Sequence, residues 1–311
     1  VLKDRRLPAP TSRALVARRR LSGDYAQIAK LVASDAAAGD KFGTSVAIDG
    51  DTIVAGAPIG DGGGGRESGS VYVLRTIDGG ATYDEMAKLT ASDGAAWVRF
   101  GNSVAIDGDT VVVGAHNDGN TGYCNSCSGS GAVYVFRTDD GGTTYGQMAK
   151  VTASDAAAGD NFGFSVAIDG TTVVVGAWQY NNGGSGVAYV FRTSDGGATY
   201  GQVAKLTASD AAADDIFGWS VAIDGDTIVV GAYGDDDAGS NSGSAYVFRT
   251  TDGGATYSQV AKLTADDGAA NDWFGCSVAI DGHTIVIGAH QYYNDGSGAA
   301  YVFRTTDGGA T

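Results

Sequence analysis

The sequence predicts an all-β fold of five four-stranded sheets from three observations: a fivefold internal repeat, a glycine-rich composition suited to strands, and tight-turn signals at fixed places in each repeat. Phe-Gly pairs begin at Phe42, Phe100, Phe162, Phe217 and Phe274, at intervals of 58, 62, 55 and 57 residues. After one variable residue each pair is followed by Ser-Val-Ala-Ile-Asp-Gly. Fifty glycines against three prolines, with Val, Ile, Thr and Tyr evenly scattered and 18% charged residues, suit short strands and many turns rather than helices or disorder.

The first strand of each unit runs from the Phe-Gly pair through Val46, Ala47 and Ile48. A type I′ turn is expected at Asp49-Gly50, because that turn needs positive φ at both central positions. The second strand, 53–57 and its equivalents, is apolar on both faces, as a strand sandwiched between neighbouring sheets must be. The third alternates around Tyr72. After an Asp-Gly-Gly turn comes a fourth, 83–89 in the first unit. It carries one lysine per unit, Lys30, Lys88, Lys150, Lys205 and Lys262, expected to keep an outer edge from pairing wrongly.

Four-stranded units of this period predict a β-propeller, with blades stacked face to face around an axis. In it Gly43, Gly101, Gly163, Gly218 and Gly275 allow close backbone approach while each neighbouring Phe fills the wedge between blades, contributing about 1.5–3 kcal/mol per ring. Ser45, Ser103, Ser165, Ser220 and Ser277, and likewise Arg75, Arg137, Arg192, Arg249 and Arg304, recur at equivalent positions and read as framework.

Residues 25–31, Tyr-Ala-Gln-Ile-Ala-Lys-Leu, match a fourth strand, and Thr311 stands where another would begin. The expected architecture is therefore a five-bladed propeller over residues 24–311, its ring closed by the N-terminal strand. The rival is part of a longer ring. Residues 1–23 form a basic arm or propeptide remnant. Residues 1–22 carry net +6, which leaves −22 on the remainder of a chain of net charge −16. A body so acidic repels phosphate backbones and argues against nucleic-acid binding. No apolar run reaches the ~18 residues of a membrane span.

Phe-Gly, two apolar strands and Gly56-Ala57-Pro58 together resemble the FG-GAP repeat of integrin α-chain propellers and microbial cell-surface proteins. The resemblance covers residues 25–311 and implies an extracellular propeller used for adhesion or ligand binding, secreted or at the cell surface. Integrin heads have seven blades and hold calcium in a longer Asp-rich loop between the first two strands. Here that loop is only Ile-Asp-Gly-Asp, Ile-Asp-Gly-Thr or Ile-Asp-Gly-His, too short to supply six to eight oxygens. Residues 193–200 and their copies resemble the Asp-box hairpin of sialidase-type propellers, a turn-stabilising element. The equivalent arginines do not match the converging set that sialidase chemistry needs.

Variation concentrates in the loops joining strands two to three and strand four to the next blade, which share one face. There lie Trp97, Trp178, Tyr180, Trp219, Tyr233, Trp273, Tyr292 and Tyr293. Aromatic rings beside Asp and Asn suit sugars, ring faces stacking while carboxylates and amides bond hydroxyls. His116 and His290 take the place of Pro58 in their blades. Asp235, Asp236 and Asp237 could attract calcium with Asp214 or Asp215; otherwise no cofactor is expected. Cys124 and Cys127 are expected to form a local disulfide in an oxidising compartment, and Cys276 lies on an inner strand. No nucleophile and base pair stands out. The sequence thus predicts a non-catalytic binding and assembly module, engaging a protein or glycan through the loop face, with other chains of a larger assembly contacting residues 1–23. The alternative is a polysaccharide-processing hydrolase or lyase using loop aspartates.

Overall fold

The computed structural model describes residues 27–119, 129–179, 183–291 and 296–305. Each Phe-Gly unit forms one antiparallel meander. Blade 1 comprises β1 (Ser45–Asp49), β2 (Thr52–Ala57), β3 (Ser70–Arg75) and β4 (Asp84–Leu89), and blade 2 comprises β5 (Ser103–Asp107), β6 (Thr110–Ala115), β7 (Ala132–Arg137) and β8 (Gly146–Val151). Blade 3 has β9 (Ser165–Asp169), β10 (Thr172–Ala177), β11 (Val187–Arg192) and β12 (Gly201–Leu206). Blade 4 has β13 (Ser220–Asp224), β14 (Thr227–Ala232), β15 (Ser244–Arg249) and β16 (Ser258–Leu263). Blade 5 has three strands among the described residues, β17 (Phe274–Asp281), β18 (Thr284–Ala289) and β19 (Ala299–Arg304).

In blades 1 to 4 the second strands are buried on both faces along most of their length, as expected, and so are the third, whose residues from Ser70 to Leu74 are all buried despite their alternating pattern; in blade 5 both strands are partly exposed. The first hairpin differs by one residue from the expected turn. Asp49 pairs with Thr52, so Gly50 and Asp51 are the central residues, and only Gly50 has positive φ, 52°. Glycine leading a two-residue loop is the type II′ arrangement. The shift frees the Asp49 side chain for the neighbouring blade.

Up to four kinds of contact join successive blades among the described residues. The rings of Phe100, Phe162, Phe217 and Phe274 are fully buried, and Gly69, Gly131, Gly186 and Gly243 of the preceding blade pair in parallel with them. Ser45, Ser103, Ser165 and Ser220 donate their hydroxyls to the carbonyls of Gly101, Gly163, Gly218 and Gly275 at 2.8–2.9 Å. Asp49, Asp107, Asp169 and Asp224 accept the amides of Gly108, Gly170, Gly225 and Gly282. Arg137 and Arg192 donate to the Gly196 and Gly253 carbonyls in the following blade's Asp-Gly-Gly turn. That turn is stapled by its aspartate: Asp195 Oδ1 accepts from Thr193 Oγ1 (2.8 Å) and Thr199 N (2.9 Å), and Oδ2 from Thr199 Oγ1 (2.6 Å).

No such contact runs from blade 5 to blade 1 among the described residues, which do not show the expected ring closure. Val46 and Ile48 on blade 1 are 67% and 66% exposed, and Val302 on blade 5 is 68% exposed, where its equivalent Val190 is fully buried. Residues 27–31 form no strand beside β19. Instead Leu31 and Ala33 pack with Ala57, Tyr72 and Leu74 of blade 1, as Leu89 packs against blade 2. The segment follows the burial available on blade 1 rather than the edge of blade 5. Tyr25 and Ala26, like the arm at 1–23, lie outside the described residues.

The staples carry a pH signature. Hydrogen bonds from Thr82, Thr144, Thr199 and Thr256 hold Asp78, Asp140, Asp195 and Asp252 well below the usual carboxylate range. A depressed folded-state value stabilises above the unfolded pKa and is lost as pH falls through the folded one. Stability should therefore decline steadily below about pH 4, as urea unfolding at pH 7 and pH 3 will show. Asp195→Asn should make that decline shallower.

Candidate functional site

The loop face is built on a tight turn at each Phe-Gly pair. The residue before Phe has left-handed φ in all five blades: Lys41 (57°), Arg99 (57°), Asn161 (56°), Ile216 (60°) and Trp273 (57°). The residue after Phe-Gly closes the turn by donating its amide to that residue's carbonyl, Phe164 to Asn161 at 3.1 Å and Trp219 to Ile216 at 3.3 Å. Three residues before Phe, Gly39 and Gly159 are also left-handed, and Trp97 takes the same conformation at φ 74°. A bulky residue there is strained by on the order of 1 kcal/mol or more. The Arg66 guanidinium stacks over the Trp97 ring at 4.6 Å.

These turns bring together the residue following Phe-Gly and the residue following Gly-Ala, joined in blade 5 by Trp273, the residue before Phe-Gly. His116 meets Phe164 with ring centroids 5.5 Å apart, and Phe164 meets Trp178 at 5.4 Å and Trp219 at 4.4 Å. Trp219 packs on Trp178 (5.4 Å) and Tyr233 (4.8 Å), Tyr233 on Trp273 (4.5 Å), and Trp273 on His290 (5.9 Å). One chain of touching rings thus crosses blades 2 to 5. Trp178, Trp219 and Trp273 are half-buried, Tyr233 and His116 are buried, and His290 is exposed. Phe164 was not among the residues singled out from sequence, although it occupies the variable position that holds Trp219 in blade 4. Tyr180, Tyr292, Cys124 and Cys127 lie outside the described residues. Cys276 on β17 is a free thiol.

His116 is the titratable member of the chain. Burial, with the Arg99 charge adding to it, lowers its pKa to about 3. A folded-state value below the unfolded one removes stability as pH falls below about 6.5, by about 2 kcal/mol at pH 5. His116→Phe should flatten the pH dependence of the urea midpoint between pH 7 and pH 5.

The aspartates of this face serve a repeated network. Lys88, Lys150, Lys205 and Lys262 pair with Asp35, Asp93, Asp155 and Asp210 of the loop leading into their blade, at 2.6–2.7 Å. Tyr72, Tyr134 and Tyr189 donate to the other oxygen of their aspartate at 2.7–2.8 Å. These four edge-strand lysines are therefore also fastened onto loops, whereas Lys30 lies on no strand among the described residues.

In blade 4, Asp235 and Asp237 join this network. Lys262 Nζ lies 2.6 Å from Asp210, 3.0 Å from Asp235 and 2.5 Å from Asp237. The three carboxylates lie within 4.8 Å of one another, close enough to hold a cation, but the ammonium sits among them. Asp215, also considered for calcium, accepts the Ala212 amide at 2.6 Å. The set does not fit calcium while Lys262 is there. In blade 2, Asp118 takes the second place on Lys150 at 2.6 Å. Blade 1 has Gly60 at that position, and a polar cavity of about 390 Å³ opens there, lined by Asp35, Asp61, Arg66, Glu67, Tyr72 and Lys88.

The structure thus gathers His116, Trp178, Trp219, Tyr233, Trp273 and His290 into one surface, sets Trp97 apart beside the blade 1 cavity, and places Asp235 and Asp237 in the framework. No curated protein matches the chain. Among solved structures it is similar to Sqt1 of Saccharomyces cerevisiae, at 10% identity and a TM-score of 0.49, over 87% of this chain and 61% of that one. The FG-GAP repeat matches residues 25–74, 83–136, 145–191, 200–248 and 257–303, in register with the five blades. The chain belongs to the FG-GAP repeat family.

Proposed function

We propose that this FG-GAP protein is a non-catalytic extracellular binding module whose loop face engages a protein or a glycan through the aromatic chain. The observation that carries this reading is the continuous run of rings from His116 to His290, built at the positions that vary between blades while the opposite turns stay constant. Rigid half-buried rings on varied loops supply contact area at little entropic cost, the usual basis of a recognition surface. The absence of catalysis is supported by the engagement of Asp235 and Asp237 with Lys262, which takes up the loop aspartates a hydrolase would use. No helix among the described residues is long and apolar enough to cross a membrane. In this reading the basic arm, residues 1–23, ties the module into a larger assembly.

A glycan array and a pull-down from extracellular material test the proposal. Trp178→Ala should weaken ligand capture about tenfold or more, while Asp226→Asn on the turn face should leave it unchanged. Capture that survives Trp178→Ala, or no ligand in either assay, would refute the reading.

A further inference from the structure

Two side-chain sets recur on the loop face, and blade 1 leaves both incomplete. Asp160, two residues before Phe162, accepts the Ala157 amide at 2.7 Å on one oxygen and the Gln179 side chain at 3.2 Å on the other; Asp272 does the same with Ala269 (2.8 Å) and Gln291 (3.2 Å). Asp40 keeps the first bond, from the Ala37 amide at 2.7 Å, but Ile59 stands where Gln179 and Gln291 do and has nothing to donate. Lys150 and Lys262 each hold a further carboxylate beside that of the loop leading into their blade, Asp118 at 2.6 Å and Asp235 at 3.0 Å. Blade 1 has Gly60 at that position, and among the described residues Lys88 is paired with Asp35 alone.

Both open positions line the same polar cavity of about 390 Å³, a volume within the range of small-molecule sites. One wall is held by blade 2, since the Arg66 and Glu67 carbonyls accept the Trp97 and Arg99 amides at 2.8 and 3.1 Å. Ser70 also lines the cavity. It is only 1% exposed, and its hydroxyl has no partner among the described residues. A hydroxyl buried without a partner is costly and marks a place for a ligand group. The cavity therefore combines a cation short of an acceptor, a carboxylate short of a donor, and an unengaged hydroxyl.

We propose that this cavity binds a sugar acid, whose carboxylate takes on Lys88 the place that Asp118 and Asp235 take on their lysines, and whose hydroxyls bond Asp40 and Ser70. The acidic groups already present do not bar it. Asp35 lies 2.6 Å from Lys88, Glu67 lies 3.6 Å from Arg99, Asp61 accepts the Glu67 amide at 3.0 Å, and the Arg66 guanidinium adds a second positive charge to the lining. In blade 4 the equivalent ammonium holds three carboxylates at 2.5–3.0 Å. A neutral sugar would leave the second place on Lys88 empty, and a simple carboxylate would leave Asp40 without its donor. Both halves of the ligand are used. The site is separate from the run of rings between His116 and His290 and does not depend on it.

Isothermal titration calorimetry of the full chain with glucuronate, glucose and acetate tests this. Glucuronate is expected to bind, with glucose and acetate about tenfold or more weaker. Gly60→Asp places a carboxylate of the chain's own beside Lys88, and should weaken glucuronate about tenfold or more. A Cβ at Gly60 meets nothing closer than 3.4 Å, so the fold accommodates it. Ile59→Gln gives Asp40 the donor that Gln179 and Gln291 supply elsewhere, and should weaken binding about threefold or more. Urea unfolding shows which variants are folded, and either one decides. No binding of glucuronate at about 20 mM, well above the dissociation constant of even a weak single-sugar site, overturns the proposal. Glucose or acetate binding as tightly as glucuronate overturns it too, because one half of the ligand would then suffice. Binding that survives both Gly60→Asp and Ile59→Gln, or that is lost in Trp178→Ala, places the sugar elsewhere and overturns it as well.

Discussion

Gly114→Ala is expected to break the seam between blades 2 and 3. A methyl group at Gly114 would lie well inside van der Waals contact of the Gly163 carbonyl oxygen and 3.0 Å from its carbon, with the Ser103 hydroxyl on its other side. Ser103 is already fixed, donating to that carbonyl at 2.8 Å. Overpacking usually costs about 1–3 kcal/mol because side chains can shift rotamer. Here the obstacle is backbone in two blades, so a loss of about 4 kcal/mol or more is expected. Because each blade contacts only its neighbours, urea unfolding followed by tryptophan fluorescence should also lose cooperativity. Gly288→Ala is the control. It is the equivalent glycine in blade 5, and the only obstacles near it are the side chains of Ser277 and Cys276. Among the described residues no following blade lies against it, so the Ser277 hydroxyl can rotate away, and a loss under about 1 kcal/mol is expected. Equal losses at the two sites would mean that the close approach of blades is not what requires glycine at Gly114.

That contrast marks what could be read from the chain. Strand identity, blade number and the framework role of the repeated serines and arginines were legible because they recur with fixed spacing, and recurrence follows from identical seams. The Phe-Gly glycines were recognised as points of close approach. Gly56 and Gly114 were not, because Gly-Ala at a strand end carries no local turn signal and its need for glycine comes from another blade. The bonds of the lysines were missed for the same reason: their aspartates lie about fifty residues earlier, at Asp35 for Lys88 and Asp155 for Lys205. Of the candidate site, the residue types on the variable loops were legible, but their contiguity was not. Phe164 and Trp219 touch at 4.4 Å only because left-handed Asn161 and Ile216 turn both side chains onto one surface. A left-handed Ile216 runs against the preference of a β-branched residue, so only the tertiary seam can impose it.

Lys262→Met is expected to be the most damaging change to a side chain on the loop face. The methionine would fill the space of the lysine stem but leave three carboxylates facing one another, of which Asp235 is only 5% exposed. Removing one partner of a buried ionic set commonly costs about 3–5 kcal/mol, because the charge left behind is neither solvated nor paired. Asp210 and Asp237 are 44% and 55% exposed, so water screens them and the lower end, about 3 kcal/mol, is expected. Lys205→Met removes a lysine that, among the described residues, is paired with Asp155 alone, both partners being more than 40% exposed, and should cost no more than about 1 kcal/mol. The pH dependence separates this account from a packing effect. Burial alone would lower the pKa of Lys262, but hydrogen bonds to Asp210, Asp237 and Asp235 outweigh it and the value is raised. Its contribution is therefore complete below the unfolded lysine value and lost only in strong alkali. Asp210 is likewise desolvated, but bonds from Lys262 and Tyr246 hold it low, so its contribution is complete above the unfolded carboxylate value and lost in acid. The difference in urea midpoint between wild type and Lys262→Met should be constant between about pH 5 and pH 9 and shrink by pH 3 as the stranded carboxylates take up protons. A difference that stays the same at pH 3 would assign the loss to packing of the lysine stem over Tyr246 instead.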